Sequence, residues 1–254
     1  MSFPLYFLFL FIIILNLKKQ IRRPMVVAIL PAAGKGERLG ESLPKQFLDL
    51  KGIPLLVRTL LAFEKAPQID GIIIATHPLY LEHTENLIKS FNLRKVLKIV
   101  EGGTTRQRSV YQAVKIAPLE TEVFLVHDAV RPFVPESLIK RVIEATRSYG
   151  ASVPAIPVRD TLNLVKDHLV KANVPRENLF HIQTPQGIKA NLLKTCLDEA
   201  IARGLEFTDE SSLLTYFGHP VYVVEGSWLN FKITFKEDLI LAEKLIDCKI
   251  ETLF

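Results

Sequence analysis

The chain has 254 residues, 48% of them apolar, enough to bury a sizeable core in one or two domains. Its formal charge is +5, but four basic residues, Lys18, Lys19, Arg22 and Arg23, stand in the first 24 positions with no acid among them. The remainder is close to neutral and carries no footprint for nucleic acid. The two cysteines, Cys196 and Cys248, match neither a metal nor a redox spacing and read as reduced thiols of a cytoplasmic protein.

Taken in order, the chain opens on an unbroken apolar run at residues 5–15 with the basic cluster after it. The run is short for a membrane span, which needs roughly 17–25 residues. A secretory signal would carry its positive charge before the run and a small-residue cleavage site after it. Two readings stay open. Residues 1–24 could be an anchor facing the cytoplasm, or translation could begin at Met25, the only other methionine. The second is preferred, because everything from Met25 onward reads as a complete domain. Membrane contact is then expected only if residues 1–24 are present.

From Met25, apolar runs at 26–30, 71–75, 96–100, 123–126 and 151–156 alternate with helical patterns near 54–63, 79–91, 106–116 and 136–149. Helices at 190–202 and 210–216, a strand at 221–224 and a last helix from 236 to about 246 follow. This alternation predicts βαβ units, hence a doubly wound, mostly parallel α/β sheet in one domain over 25–254. One stretch breaks the pattern. Residues 161–166 and 169–174 have period-two character around a polar turn, Asp167-His168, and predict a β-hairpin within a protruding arm at about 158–180. Two strands alone are marginal in water, so the arm must pack on its own domain or on a second subunit. Both remain open on the pattern alone.

The most informative segment follows the first strand: Leu30-Pro31-Ala32-Ala33-Gly34-Lys35-Gly36-Glu37-Arg38-Leu39-Gly40, then Pro44-Lys45-Gln46. Small residues let a backbone approach a ligand closely and point several N–H groups at one set of oxygens, while Lys35, Arg38 and Lys45 bring cations. That combination suits a triphosphate. The glycines at 34, 36 and 40 fit neither a P-loop nor the dinucleotide fingerprint. A second segment, Val126-His127-Asp128-Ala129-Val130-Arg131-Pro132, puts Asp128 just past a buried strand, on the rim where open α/β sheets bind ligands. A carboxylate beside a triphosphate has a reason to be there if it holds Mg²⁺; capping the next helix or pairing with Arg131 is the alternative. In a third, Gly102-Gly103-Thr104-Thr105-Arg106-Gln107-Arg108-Ser109, Ser109 can hydrogen-bond a base or a phosphate, and Thr104 or Thr105 can equally cap a helix.

These segments carry a resemblance. From residue 26 to about 246 the chain resembles the 2-C-methyl-D-erythritol 4-phosphate cytidylyltransferase family. The matching stretches are Pro31-Ala-Ala-Gly-x-Gly-x-Arg38, Pro44-Lys45-Gln46, Gly102-Gly-x-x-Arg106-x-x-Ser109, His127-Asp128-Ala-x-Arg131-Pro132, Val158-Arg-Asp-Thr161, Thr184-Pro-Gln186, Thr208-Asp-Glu210 and Asn230-x-Lys232, in order. The resemblance implies a Rossmann-like nucleotidyltransferase fold and a β-arm that interlocks two subunits as a homodimer. It implies a reaction in which a phosphomonoester attacks the α-phosphorus of CTP and pyrophosphate leaves. Arg38, Lys45 and Lys232 would be the catalytic cations. Pro31, Ala32, Ala33, Gly34, Gly36, Gly103, Arg106 and Ser109 would receive the nucleotide, and Asp128 would hold Mg²⁺ as well as meet substrate. Arg131, Thr208 and Lys232 would bind the sugar phosphate, with Thr161 and Arg176 reaching across from the partner's arm. Thr104 stands where many relatives have an acidic residue near the cytosine. A cytidylyltransferase acting on ribitol 5-phosphate would share the CTP site and differ in the polyol pocket. A non-catalytic nucleotide-binding or membrane-tethered protein has no use for this spread of charge.

Overall fold

The computed structural model describes residues 23–34 and 43–248. The extension at residues 1–22 and the glycine-loop residues Lys35, Gly36 and Arg38 lie outside the described residues. The first strand, β1 (Met25–Ala32), is the axis of the fold. It pairs in parallel on one edge with β4 (Gly71–Thr76) and on the other with β6 (Thr121–Val126), so that Ile29 lies between Ile73 and Val126. Its side chains divide by period two. Val26, Ala28, Leu30 and Ala32 enter one core, while Val27 and Ile29 enter the other. A strand covered on both faces needs an apolar residue at every position, and this is why 26–30 reads as an unbroken run.

Around that axis the described residues form an eight-stranded sheet. On one side of β1, β4 is followed by the edge strand β5 (Val96–Glu101); on the other, β6 is followed by antiparallel β11 (Gln186–Lys189) and then β7 (Ala151–Pro157). The far side of β7 carries β12 (Tyr222–Glu225), in parallel. The sheet is therefore parallel through its centre and mixed at one end. One face is covered by α1 (Leu55–Lys65), α2 (Leu81–Ser90) and α4 (Glu136–Tyr149); the other by α3 (Arg106–Lys115), α5 (Ala190–Ala202) and α6 (Glu210–Tyr216). Apart from β11, these strands and helices fall where the hydrophobic pattern predicts them, within a residue or two at most ends.

The sequence pattern misses three features. A minimal hairpin, β2 (Asp49–Leu50) with β3 (Ile53–Pro54), precedes α1. The chain from 180 to 189 also runs as two short strands, β10 (Phe180–Ile182) and β11, both antiparallel to β7. Pro185 and Gly187 argue against a strand there. Gly187 is a packing requirement, since a Cβ at that position would collide with Thr146 Oγ1 and Val142 of α4.

The predicted hairpin forms, from β8 (Leu162–Lys166) and β9 (Leu169–Val174), and makes its own two-stranded sheet. Asp167 and His168 both take positive φ (52° and 62°), the geometry of the two-residue turn that matches strand twist. Residues 163–182 are exposed throughout, and Leu164, Val165, Leu169 and Val170 are each more than half exposed.

The last helix, α7 (Lys236–Asp247), closes a third, smaller core made of Leu50, Leu55, Val130, Phe133, Ile233 and Ala242. That core pins the segment after β6 to the segment before α7, and Ile233 N–H donates to Val130 O at 3.0 Å. It thereby fixes Asp128, Arg131 and Lys232 relative to one another.

Candidate active site

The carboxyl ends of β1, β4, β5 and β6 open onto one cleft of about 890 Å³. It lies where the strand order reverses about β1, the place an open α/β sheet leaves free for a ligand. Pro31, Ala32, Ala33 and Gly34 form its floor. Gln46 fastens that floor. It is buried, and its Nε2 donates to Ala32 O (2.6 Å) and Gly34 O (3.0 Å). Phe47 beside it packs on the rings of Tyr80 and His83. With neighbours anchored on one side, Lys45 is carried to the cleft wall, where Nζ donates to Ile233 O at 3.4 Å.

The opposite wall is the turn after β5. Gly102 N–H donates to Thr76 O at 2.7 Å, and a Cβ on residue 102 would collide with Ala33 Cβ. The loops after β1 and β5 touch here through a position only glycine can fill. Gly103 is closed in the same way by Arg108. Ser109 lines the cleft, with its Oγ accepting from Gly103 N–H (3.1 Å) and donating to Thr105 O (2.9 Å). The hydroxyl thus shapes the turn. Thr105 caps α3 by accepting from Arg108 N–H (3.2 Å), and Thr104 faces the cleft.

The charge is concentrated on Asp128. Its Oδ2 accepts from Lys232 Nζ (3.0 Å) and Arg131 Nε (3.2 Å), its Oδ1 from Arg106 Nε (3.4 Å). Burial alone would raise this carboxyl, but Arg106, Lys232 and Arg131 together overcome it and hold Asp128 ionised far below the usual carboxylate range. Pairing with Arg131, the alternative to a ligand role, is therefore real, yet it accounts for one of three cations. Arg106 is held in turn by Glu210, both Nη groups reaching its carboxylate at 2.7 and 2.9 Å.

Beneath Asp128 sits a buried polar relay. Thr184 Oγ1 accepts from Asp128 N–H (3.1 Å) and donates to His127 Nδ1 (2.9 Å); His127 Nε2 donates to Arg131 O (3.1 Å). That pattern fixes the Nε2–H tautomer. Burial pushes His127 down to about 4, opposed in part by its hydrogen bond to Arg131. Asn230 completes the relay, its side chain donating to Thr184 O (2.7 Å) while its backbone carbonyl accepts from Arg131 Nη1 (2.8 Å). Gln46, His127, Thr184, Asn230 and Glu210 are thus site residues that the sequence motifs contain but give no role.

Of the residues singled out from sequence, Pro31, Ala32, Ala33, Gly34, Lys45, Gly103, Arg106, Ser109, Asp128 and Lys232 meet at this cleft, and Arg131 reaches Asp128 from its edge. Gly36 and Arg38 fall outside the described residues. Thr161 and Arg176 stand exposed on the arm, and Thr208 is exposed two residues before Glu210; none of the three is in the cleft wall. His77 and Pro78, at the end of β4, line the cleft without having been anticipated. Among the described residues no three His, Cys, Asp or Glu side chains converge as a metal site, and Asp128 is the only carboxylate in the cleft wall. A Mg²⁺ ion suits such a site, since it keeps one or two carboxylates and takes its other ligands from phosphates and water.

A Gly- and Ala-lined floor at a sheet switch point, walled by cations around one aspartate, defines a nucleotidyltransferase-type α/β site. Residues 26–247 match the IspD family model, 2-C-methyl-D-erythritol 4-phosphate cytidylyltransferase, and the chain belongs to that family. The enzyme of this name from Clostridium novyi (strain NT) is 40% identical over 222 residues, covering 87% of this chain and 96% of its own. The crystal structure of the Thermus thermophilus cytidylyltransferase superposes with a TM-score of 0.74 at 38% identity, over 87% of this chain and 98% of that one. The 4-diphosphocytidyl-2C-methyl-D-erythritol synthase of Anaerococcus prevotii DSM 20548 gives 0.76 at 29% identity, over 88% and 98%.

Proposed function

We propose that the chain transfers a cytidylyl group from CTP to 2-C-methyl-D-erythritol 4-phosphate, a step of isoprenoid precursor synthesis, with the cleft after β1 and β6 as its active site. The observation that carries the reading is the triad of cations on Asp128, set beside the small-residue floor in a chain of this family. Phosphoryl-transfer chemistry needs positioning and charge stabilisation more than covalent help, and this cleft supplies both. An oxygen of the sugar phosphate attacks the α-phosphorus of CTP, the bond to the β-phosphate oxygen breaks, and pyrophosphate departs. Lys45, with Arg38 from the glycine loop, stabilises charge on the transferring group. The backbone of 31–34 and 102–103 receives the nucleotide. Arg131 and Lys232, with Thr208, hold the acceptor phosphate. Asp128 is the residue that would hold Mg²⁺, which when bound would neutralise charge on the triphosphate.

The arm supports a second part of the reading, a homodimer. Its exposed Leu164, Val165, Leu169 and Val170 suit burial on another subunit, and Thr161 and Arg176 on the same arm would then serve the partner's cleft. The reaction belongs in the cytoplasm, a placement that free thiols at Cys196 and Cys248 suit. Among the described residues no helix is long and apolar enough to cross a membrane.

The test uses CTP carrying a radioactive α-phosphorus, with the full chain, Mg²⁺ and 2-C-methyl-D-erythritol 4-phosphate. Label should pass into a methylerythritol diphosphocytidyl product in step with pyrophosphate release. A chain that binds CTP but leaves the label in CTP would refute the reading.

A further inference from the structure

The motif Thr208-Asp-Glu210 contains a buried acid to which the proposed reaction gives no task. Glu210 opens α6 with only 3% of its surface exposed. Its carboxylate meets the guanidinium of Arg106 fork to fork, through both Nη groups. Arg106 is left to offer Asp128 only its Nε, across 3.4 Å. One guanidinium is thus shared unequally between two buried carboxylates, and Glu210 has the larger share. Asp128 Oδ1 consequently carries one long hydrogen bond from Arg106, whereas Oδ2 takes both Lys232 and Arg131.

The mount of Glu210 is firm. Asp209 caps α6 by accepting from Ser212 N–H (2.9 Å) and also accepts from Gln186 Nε2 (2.8 Å); Gln186 Oε1 accepts from Ser211 N–H (2.9 Å). From α3, Gln107 grips Leu205 O (2.9 Å) and Phe207 N–H (2.8 Å) with both ends of its amide. The segment just before Glu210 is therefore tied to α3, the helix that bears Arg106, and α6 itself is tied to β11 through Gln186.

We propose that Glu210 is a positioning residue for the nucleotide: it holds the Arg106 fork on the cleft wall and keeps it from closing over Asp128. The inference rests on the reading of Arg106 as a nucleotide contact. With a neutral amide at 210, the strongest remaining partner of Arg106 is Asp128. The fork then turns onto Oδ1, taking a cation from the CTP phosphates and an oxygen from any ligand of Asp128.

CTP binding measured calorimetrically with Mg²⁺, without acceptor, tests this across a double-mutant cycle. Glu210→Gln is expected to weaken CTP binding about tenfold, and Arg106→Gln to weaken it by at least as much. Because Glu210 acts through Arg106, the double variant should bind no more weakly than Arg106→Gln alone. Glu210→Asp, which keeps the charge but withdraws it by one methylene, is expected to lose about threefold and carries the test if Glu210→Gln does not fold. Losses that multiply in the double variant would overturn the inference, because a merely structural role for Glu210 adds independently. Unchanged CTP binding by Glu210→Gln beside a weakened Arg106→Gln would overturn the inference alone. Normal binding by Arg106→Gln would overturn it together with the cleft assignment beneath it.

Discussion

Thr184→Val removes one hydroxyl and almost no volume, so its effect isolates the relay beneath Asp128. In the protein that hydroxyl accepts from the Asp128 N–H and donates to His127 Nδ1, and Thr184, His127 and Asp128 are 4%, 0% and 8% exposed. The valine leaves one buried donor and one buried acceptor without partners, each costing about 1–3 kcal/mol. The added methyl group returns roughly 0.8 kcal/mol of apolar burial. The net loss is therefore about 1–5 kcal/mol, or roughly 3–15 °C in melting temperature for a chain of this size. Urea unfolding of wild type, Thr184→Val and Thr184→Ser measures it, with the serine variant within about 1 kcal/mol of wild type because it keeps both hydrogen bonds. The valine variant should also lose activity beyond its loss of folded protein, since the Asp128 backbone is no longer fixed. A Thr184→Val protein within about 0.5 kcal/mol of wild type would refute the relay as a source of stability.

Other consequences are as direct. Lys45→Ala should lower kcat by roughly 10²–10³ while KM for CTP moves less, the signature of a group that acts in the transition state; an unchanged kcat removes Lys45 from the chemistry. Gly102→Ala forces a Cβ into Ala33 and toward Ser109 Oγ, so stability should fall by about 1–3 kcal/mol and KM for CTP should rise; steady-state kinetics and a thermal melt read both. Lys232→Ala should raise KM for the sugar phosphate selectively, and an effect confined to CTP would contradict that assignment. His127 is neutral when folded and its pKa lies at about 4, so below about 6.5 the unfolded chain takes up the proton first. Stability should decline by roughly 3 kcal/mol from this group between about pH 6.5 and 4 and level off below, and His127→Asn should flatten that window in urea titrations.

The parts of this fold legible in the sequence are those in which one residue's neighbours decide its state. The both-faced apolar run of β1, the polar turn at Asp167-His168 and the glycines at 102 and 103 announce themselves locally. The place of Asp128 on the cleft was legible because a residue just past a buried parallel strand falls on the rim where the loop after β1 also ends. Strand β11 was not, since Pro185 and Gly187 contradict strand propensity and only the packing of α4 explains the glycine. Nor was the grip of Glu210 on Arg106, which joins residues more than a hundred positions apart and leaves no periodicity. Ser109 shows a subtler limit. Its place in the cleft could be read, but the hydroxyl's bonds to the Gly103 turn come from the close approach of two loops. Gln46 was legible as part of a motif and not as a clamp, because its partners are backbone carbonyls, which no sequence distinguishes.

The most direct test of the central claim compares acceptors: pyrophosphate release by the full chain with CTP and Mg²⁺, using 2-C-methyl-D-erythritol 4-phosphate against ribitol 5-phosphate. A large preference in kcat/KM for the methylerythritol phosphate, with kcat lowered roughly 10²–10³ in Lys45→Ala, is the predicted result. Equal or greater turnover of ribitol 5-phosphate, or an unchanged kcat without Lys45, would contradict it.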